Sequence, residues 1–238
     1  PGGILDGRRR VGASGGLTMT DNQVRGENAL KTYRYLRLAM IGLVVMLGAA
    51  LVIEVVQAGG SCWRTSISSY YYTPVRGVFI GGLVAVGICL MALKGNTPAE
   101  DILLNVAGLL APVVAFVPIS DPGECSSAPS ALSDAAPNIG NNVGALLVTG
   151  ALAAVVGLGL AVRAAKGRPV DRTTRIGLAV SFLVGIAAVL AFLFARTRFE
   201  QLAHYVAAIP LFVILIIVMV VNAVSYGRSR ATDQQRAP

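Results

Sequence analysis

Residues Leu36–Val56 decide the fold of this chain, and they read LRLAMIGLVVMLGAALVIEVV. A helix needs about 20 mostly apolar residues to cross the hydrocarbon core of a bilayer. This run meets that length with only Arg37 near its start and Glu54 near its end. In lipid, only helices and closed barrels satisfy their own backbone hydrogen bonds. Because the run lacks the alternating pattern of a barrel strand, it predicts a membrane-spanning helix.

Five further apolar runs follow along the chain. One of them, Ile102–Ile119, contains Pro112 and Pro118, which predict a kink. We therefore predict an all-α, polytopic membrane protein with a six-transmembrane-helix bundle over residues 31–226. Residues 1–30 are expected to be a disordered basic leader, with Met19 as the true start, and residues 227–238 a cytoplasmic tail. The later runs are Gly77–Leu93, Ile102–Ile119, Val143–Val162, Ile176–Ala195 and Tyr205–Val224.

The orientation follows from basic residues in short loops, which stay on the cytoplasmic side. The connection 121–142 has no basic residue and 57–74 has only Arg64, so both are expected outside. Both termini are therefore predicted to be cytoplasmic. The connection carrying Arg196 and Arg198 fits this scheme less well. The cytoplasmic basic residues are Arg25, Lys31, Arg34, Arg37, Arg163, Lys166, Arg168, Arg172, Arg175, Arg228, Arg230 and Arg236.

The composition agrees with this class: 55% of residues are hydrophobic and 13% are charged, against about a quarter charged in soluble domains. The net charge of +8 is distributed over loops rather than one face, so it does not predict nucleic-acid binding. The excess of Arg over Lys, with abundant Ala, Gly and Val, favours the bacterial cytoplasmic (inner) membrane. Expected partners are membrane lipids and either another membrane protein or a second copy of the chain. A single histidine predicts no metal site, and no cofactor is expected.

Cys62 and Cys125 lie in the two connections that are expected outside. That compartment is oxidising, so a disulfide between them is predicted. The alternative is a pair of unbonded thiols on the same side. Cys89, in the middle of the second run, is expected to be a small buried apolar residue.

The most distinctive stretch is Ser66–Arg76, which reads SISSYYYTPVR. Pro74 suits the first turn of a helix, and Thr73 is a candidate cap for that turn. Here the sequence resembles an uncharacterised bacterial family of six-helix integral membrane proteins with a similar Ser-Ile-Ser and Tyr-Tyr-Tyr-Thr stretch before the second helix. The family pattern often has Gly-Asp where this chain has Arg76-Gly77, and the resemblance implies no activity. It continues through Lys94-Gly95, Asp101, Ala107-Gly108, Phe116-Val117-Pro118 and His204.

Ionisable residues within a membrane are costly and so indicate a functional site. Glu54 is the clearest case, and Arg76, at a similar depth, is its expected partner. With His204 they suggest an outward-facing polar pocket that binds or transports a small solute or lipid. The alternative is an ion-pair network that only holds helix ends together. The candidate ligand-binding residues are Glu54, Ser68, Tyr71, Arg76 and His204.

Two other functions remain open. One is a membrane-embedded hydrolase in which Ser66, Ser68 or Ser69 acts with His204 and Asp121, the residue types of a hydrolytic triad. The other is a structural or assembly subunit of a membrane complex, with no pocket.

Overall fold

The computed structural model describes residues 14–60, 63–119, 135–165 and 172–236. Within these ranges the chain forms six α-helices and one 3₁₀ helix, with no strand. The helices are α1 (Ser14–Gln57), the 3₁₀ helix (Ile67–Tyr72), α2 (Arg76–Ala92), α3 (Pro98–Phe116), α4 (Ala135–Ala165), α5 (Arg172–Phe194) and α6 (Arg196–Arg236). The prediction of an all-α chain is confirmed for this part of the molecule.

Five of the helices contain a segment that is long and apolar enough to cross a membrane. The remaining helix, α2, corresponds to the second predicted run and has 17 residues, which is at the short end of the range for spanning helices. The five segments are Gly26–Gln57, Pro98–Phe116, Ile139–Leu160, Arg175–Phe194 and Arg196–Gly227. The chain therefore has the helices of a polytopic membrane protein.

The chain divides into two compact units, Pro1–Ala39 and Met40–Pro238, with the boundary inside α1. In the first unit, residues 14–39 are continuously helical, whereas the sequence predicts a disordered leader up to residue 30. Extending an existing helix fixes few dihedral angles for each bond gained, and residues 14–39 contain no proline to stop it. The helix therefore continues well beyond the apolar run.

The core of the second unit lies where α3 packs against both α2 and α6. By contrast, α4 and α5 leave most of their apolar side chains exposed, as helices do when they face lipid. The buried core residues are Tyr71, Phe79, Leu90, Leu104, Ala107, Ala111, Val114, Ala207 and Leu211.

Two glycines let α2 and α3 approach closely. A Cβ atom at Gly87 would lie 2.8 Å from the carbonyl oxygen of Gly108, and one at Gly108 would lie 2.7 Å from that of Gly87. Pro112 contributes to this contact, because it lacks the N–H that would otherwise bond the Gly108 carbonyl. Small residues are known to permit such approaches between membrane helices. The two carbonyls set the separation of α2 and α3.

The turn between α2 and α3 is held by side chains. Thr97 caps α3, its hydroxyl accepting from the Glu100 N–H at 3.2 Å, and Pro98 occupies the first turn, where a missing N–H costs nothing. Glu100 is buried, and its Oε2 accepts the N–H of Asn96 at 2.5 Å. The Asn96 side chain donates to Oδ1 of Asn222 on α6 at 2.6 Å. This end of α6 is thereby fixed to the turn.

Candidate functional site

The 3₁₀ helix begins and ends at hydroxyl side chains. Ser66 Oγ accepts from the Ser69 N–H at 3.2 Å, and Ser69 Oγ donates to the Ser66 carbonyl at 2.6 Å. At the other end, Thr73 Oγ1 donates to the Tyr70 carbonyl at 2.7 Å. Thr73 therefore ends the 3₁₀ helix, and the N-cap position of α2 belongs to Val75, which has no side-chain cap. The sequence-based role of Thr73 as the α2 cap is wrong, although its hydroxyl accepts from the Val75 N–H at 3.3 Å.

Three consecutive tyrosines in this helix point in three directions, because a 3₁₀ helix has three residues per turn. The Tyr70 hydroxyl accepts from the Arg64 N–H at 3.3 Å, and its ring lies in a cluster with Val55 of α1. Tyr71 lies in the main core and is fully buried. Tyr72 extends to the end of α3 and donates to the Ile119 carbonyl at 2.7 Å. The tyrosines thus join the 3₁₀ helix to three different parts of the second unit.

Arg76 lies against Tyr71, and the structure brings these two predicted site residues together. An NH2 group of Arg76 donates to the Tyr71 hydroxyl at 2.8 Å, and the guanidinium carbon lies 4.4 Å from the ring centroid. Burial raises the pKa of Tyr71, while the positive charge of Arg76 acts in the opposite direction. The guanidinium is only partly buried. Arg76 is therefore a charged group held in a fixed position at the rim of the core.

His204 does not join this pair, because it is buried and faces the end of α3 instead. The Val117 carbonyl lies 2.6 Å from its Nδ1 atom. A carbonyl oxygen can only accept, so Nδ1 carries the proton. Val117 precedes Pro118 and has an extended backbone, as residues before proline usually do. α3 ends here, and His204 and Tyr72 supply donors to carbonyls beyond its last turn.

The hydrolase geometry is not formed in the part of the chain that the structure describes. None of Ser66, Ser68 or Ser69 hydrogen-bonds to His204 there. Ser68 is half-buried in the 3₁₀ helix. Asp121, the third residue of that hypothesis, lies outside the described residues.

Glu54 is half-buried near the end of α1 and forms no ion pair with any described residue. The expected Glu54–Arg76 pair is therefore not formed. The physical reason is that the Arg76 guanidinium lies over the Tyr71 ring, where one hydrogen bond and a cation–π contact hold it away from Glu54.

Arg196 and Glu200 form an ion pair at 3.0 Å along α6. The Arg196 guanidinium also lies 5.2 Å from the Phe192 ring centroid and rests over Gly140 of α4. Its charge is therefore neutralised by a neighbour on its own helix. The pair lies within the first turns of α6, and its opposite charges leave little net charge for a ligand.

The predicted disulfide residues, Cys62 and Cys125, both lie outside the described ranges, so the bond stays a prediction. Cys89 is a free thiol and only partly buried. Among the described residues, no group of three His, Cys, Asp or Glu side chains is placed to hold a metal ion.

Comparison with family models, with curated proteins and with solved structures gives no match. The resemblance to the six-helix family therefore stays a prediction, and the site must be interpreted from its own geometry.

The hydrogen bonds of Tyr72 and His204 to carbonyls at the end of α3 were not predicted from the sequence. A signal for them was present in Phe116-Val117-Pro118. A proline just past a helix end removes a backbone donor, so the buried carbonyls near it need donors from elsewhere. Tyr and His can supply such a donor, because each carries an O–H or N–H group on a ring that packs among apolar side chains.

Proposed function

We propose that this protein binds a small solute or lipid bearing an anionic group, with Arg76 as the residue that recognises the charge. The observation that carries the proposal is the state of the Arg76 side chain. A guanidinium has five N–H donors, and its one hydrogen bond within the described residues goes to Tyr71. No other described residue accepts from the remaining donors, and we propose that the ligand does.

The position of Arg76 favours an anion. The hydrogen bond and the ring contact with Tyr71 restrain the guanidinium, so little conformational entropy is lost when a ligand binds. A fixed planar fork matches the two oxygens of a carboxylate or phosphate. Arg76 is also the first residue of α2, and the N-terminus of a helix favours negative charge.

The proposal includes a topology of six spans with both termini in the cytoplasm of a bacterial inner membrane. α2 is about 26 Å long as a helix of 17 residues, which suits a thin or locally adapted bilayer. The basic loops support the orientation. On this topology Arg76 lies on the outer side, at the level of Trp63 and the three tyrosines, which are typical interfacial residues.

The test measures binding of three probes to the full chain in uncharged detergent: inorganic phosphate, acetate and dioctanoyl phosphatidic acid. Trp63 is the one tryptophan in the chain and lies shortly before the 3₁₀ helix, so its fluorescence reports on this end. We expect saturable binding of at least one probe, strong loss in Arg76→Gln and partial retention in Arg76→Lys. A lipid ligand requires that the phosphatidic acid bind and inorganic phosphate not bind, and a solute ligand requires the reverse.

Arg198→Gln is the matched control, because Arg198 is an exposed arginine near the start of α6 and its loss changes the net charge equally. It should bind the probes as the wild type does. If no probe binds, or if the Arg76 and Arg198 variants behave alike, Arg76 is not a recognition site.

A structural or assembly subunit is the second candidate, and the full engagement of His204 and Tyr72 by backbone carbonyls favours it. Both side chains then serve only to hold helices together. Stable co-purification of one membrane protein with the chain, unaffected by Arg76→Gln, would support this candidate.

We also propose the bond between Cys62 and Cys125 as a brace between the two outer loops. Closing so long a loop would contribute roughly 4 kcal/mol in the chain-entropy model. Alkylation of the unreduced protein followed by intact-mass analysis should modify one thiol, that of Cys89. Modification of all three cysteines would show that the bond is absent.

A further inference from the structure

A basic strip lies on α1 where the apolar run Leu36–Val56 begins. Lys31, Arg34 and Arg37 are all exposed. Glu27 lies one turn before Lys31 but forms no ion pair with a described residue, and no Asp or Glu occurs from residue 28 to residue 53. The three cations form a local concentration of positive charge that the proposed Arg76 site does not involve.

Tyrosines accompany the strip. The Arg37 guanidinium donates to the Tyr33 hydroxyl at 2.5 Å and lies 4.4 Å from its ring centroid. Tyr35 is 70% exposed. Tyrosine is enriched at the level of lipid headgroups, where one end of the ring is apolar and the other is hydrated. The strip thus has the composition of a membrane–water interface.

The dimensions of the strip also match such an interface. From Lys31 to Arg37 the helix rises by about 9 Å, and one headgroup layer of a bilayer is roughly 5–8 Å thick. Side chains on a helix lean towards its N-terminus. The basic groups therefore lean away from the apolar run and towards the headgroups.

We propose that residues 31–37 of α1 bind the phosphate groups of anionic phospholipids. The exposed apolar surface next to the strip favours a lipid over a soluble polyanion as the ligand. Leu38, one residue beyond the strip, is 64% exposed and belongs to a helix long and apolar enough to cross a membrane. The surface next to a phosphate bound at the strip is therefore apolar. Such a surface suits the acyl chain of a lipid rather than a nucleic acid or an acidic protein.

The test titrates the full chain in uncharged detergent with dioctanoyl phosphatidylglycerol, and in parallel with dioctanoyl phosphatidylcholine, by calorimetry. Each basic residue near an anionic surface contributes about 1 kcal/mol. The variant K31Q/R34Q/R37Q should therefore bind phosphatidylglycerol about 100-fold more weakly than the wild type, a factor that corresponds to about 3 kcal/mol. The wild type and the variant should have the same affinity for phosphatidylcholine.

The control is R228Q/R230Q/R236Q, which removes three charges from the tail, and it should retain wild-type affinity within about threefold. Equal losses in the two triple variants would overturn the proposal, because they would indicate a general charge effect. Unchanged affinity in K31Q/R34Q/R37Q would also overturn it.

A second measurement covers the case in which K31Q/R34Q/R37Q inserts poorly. Charge-dependent binding to phosphatidylglycerol by the wild-type protein must weaken as salt is raised, since the Debye length falls from about 10 Å at 0.1 M to about 3 Å at 1 M. Salt-independent binding would contradict the proposal without any variant. Dioctanoyl phosphatidic acid carries the phosphate that both proposals invoke, so their variants separate them: Arg76→Gln should leave the binding of phosphatidylglycerol unchanged, and K31Q/R34Q/R37Q should leave the binding of inorganic phosphate and acetate unchanged.

Discussion

Replacing Gly108 by alanine tests whether two backbone carbonyls set the α2–α3 separation. The new Cβ would lie 2.7 Å from the carbonyl oxygen of Gly87, about 0.7 Å short of an ordinary contact at 3.4 Å. It would also lie 2.5 Å from Cγ of Met91, but that flexible side chain can move. The carbonyl cannot move without shifting α2. The two helices must therefore separate, and the neighbouring side chains lose contact.

The expected cost follows from the size of that shift. A gap of 0.5–1 Å removes about a quarter to a half of the dispersion energy of each contact that it opens. Overpacking in a close-packed interior typically costs about 1–3 kcal/mol. We therefore expect Gly108→Ala to lower the free energy of unfolding by about 2 kcal/mol. For a chain of this size that corresponds to a melting temperature lower by about 4–8 °C.

Gly81→Ala is the matched control, since it lies on the same pair of helices and a Cβ there meets no described atom within 4 Å. Alanine is the better helix former by about 1 kcal/mol, so this variant should melt at the wild-type temperature or slightly above it. The assay is thermal unfolding followed by far-ultraviolet circular dichroism in one detergent. Equal melting temperatures for the two alanine variants would refute the argument from the carbonyl contact.

Four other predictions concern the polar contacts. Tyr72→Phe removes the donor to the backbone beyond α3 and should lower the free energy of unfolding by about 1 kcal/mol, measured by the same melt; an unchanged melt contradicts it. Asn222→Ala removes the bond to Asn96 and should cost about 0.6 kcal/mol, the average for such bonds in membranes. Burial raises the pKa of Tyr71 above 10.0, so the stability that it contributes is complete below pH 10 and is lost as the pH rises through the raised value. Arg76→Gln should raise that pKa further, because it removes a charge that lowers it; a fall in the pKa, measured by tyrosinate absorbance against Tyr71→Phe, is the contrary result.

The order and approximate bounds of the helices were predictable because apolar length is a local property of the sequence. The rotation of each helix about its own axis is not a local property of the sequence, and the incorrect predictions concern that rotation. The sequence placed Glu54 and Arg76 at a similar depth, but depth does not say which way each side chain points. The same applies to His204, which the sequence assigned to an outer pocket and the structure turns towards the end of α3. Contacts between helices, rather than the apolar runs, decide these directions.

The residues that carry the family resemblance are mostly those at which one helix is fixed to another. Asp101 accepts from the Gly95 N–H and pairs with Lys94, Gly108 sets the approach of α2, and His204 bonds beyond α3. In this chain these residues serve the fold, so their presence says little about activity.

Arg76 differs from the other residues of the motif because the core does not depend on it. Tyr71 is buried among core residues such as Phe79 and Leu211, and those apolar contacts do not require the guanidinium. Loss of Arg76 therefore costs at most the one hydrogen bond and the stacking contact, while the other distinctive side chains are needed to hold helices together. A variant at this position changes the charge offered to a ligand with little change in the core. That is why Arg76, and not His204, is the residue at which a function of this protein can be tested apart from its fold.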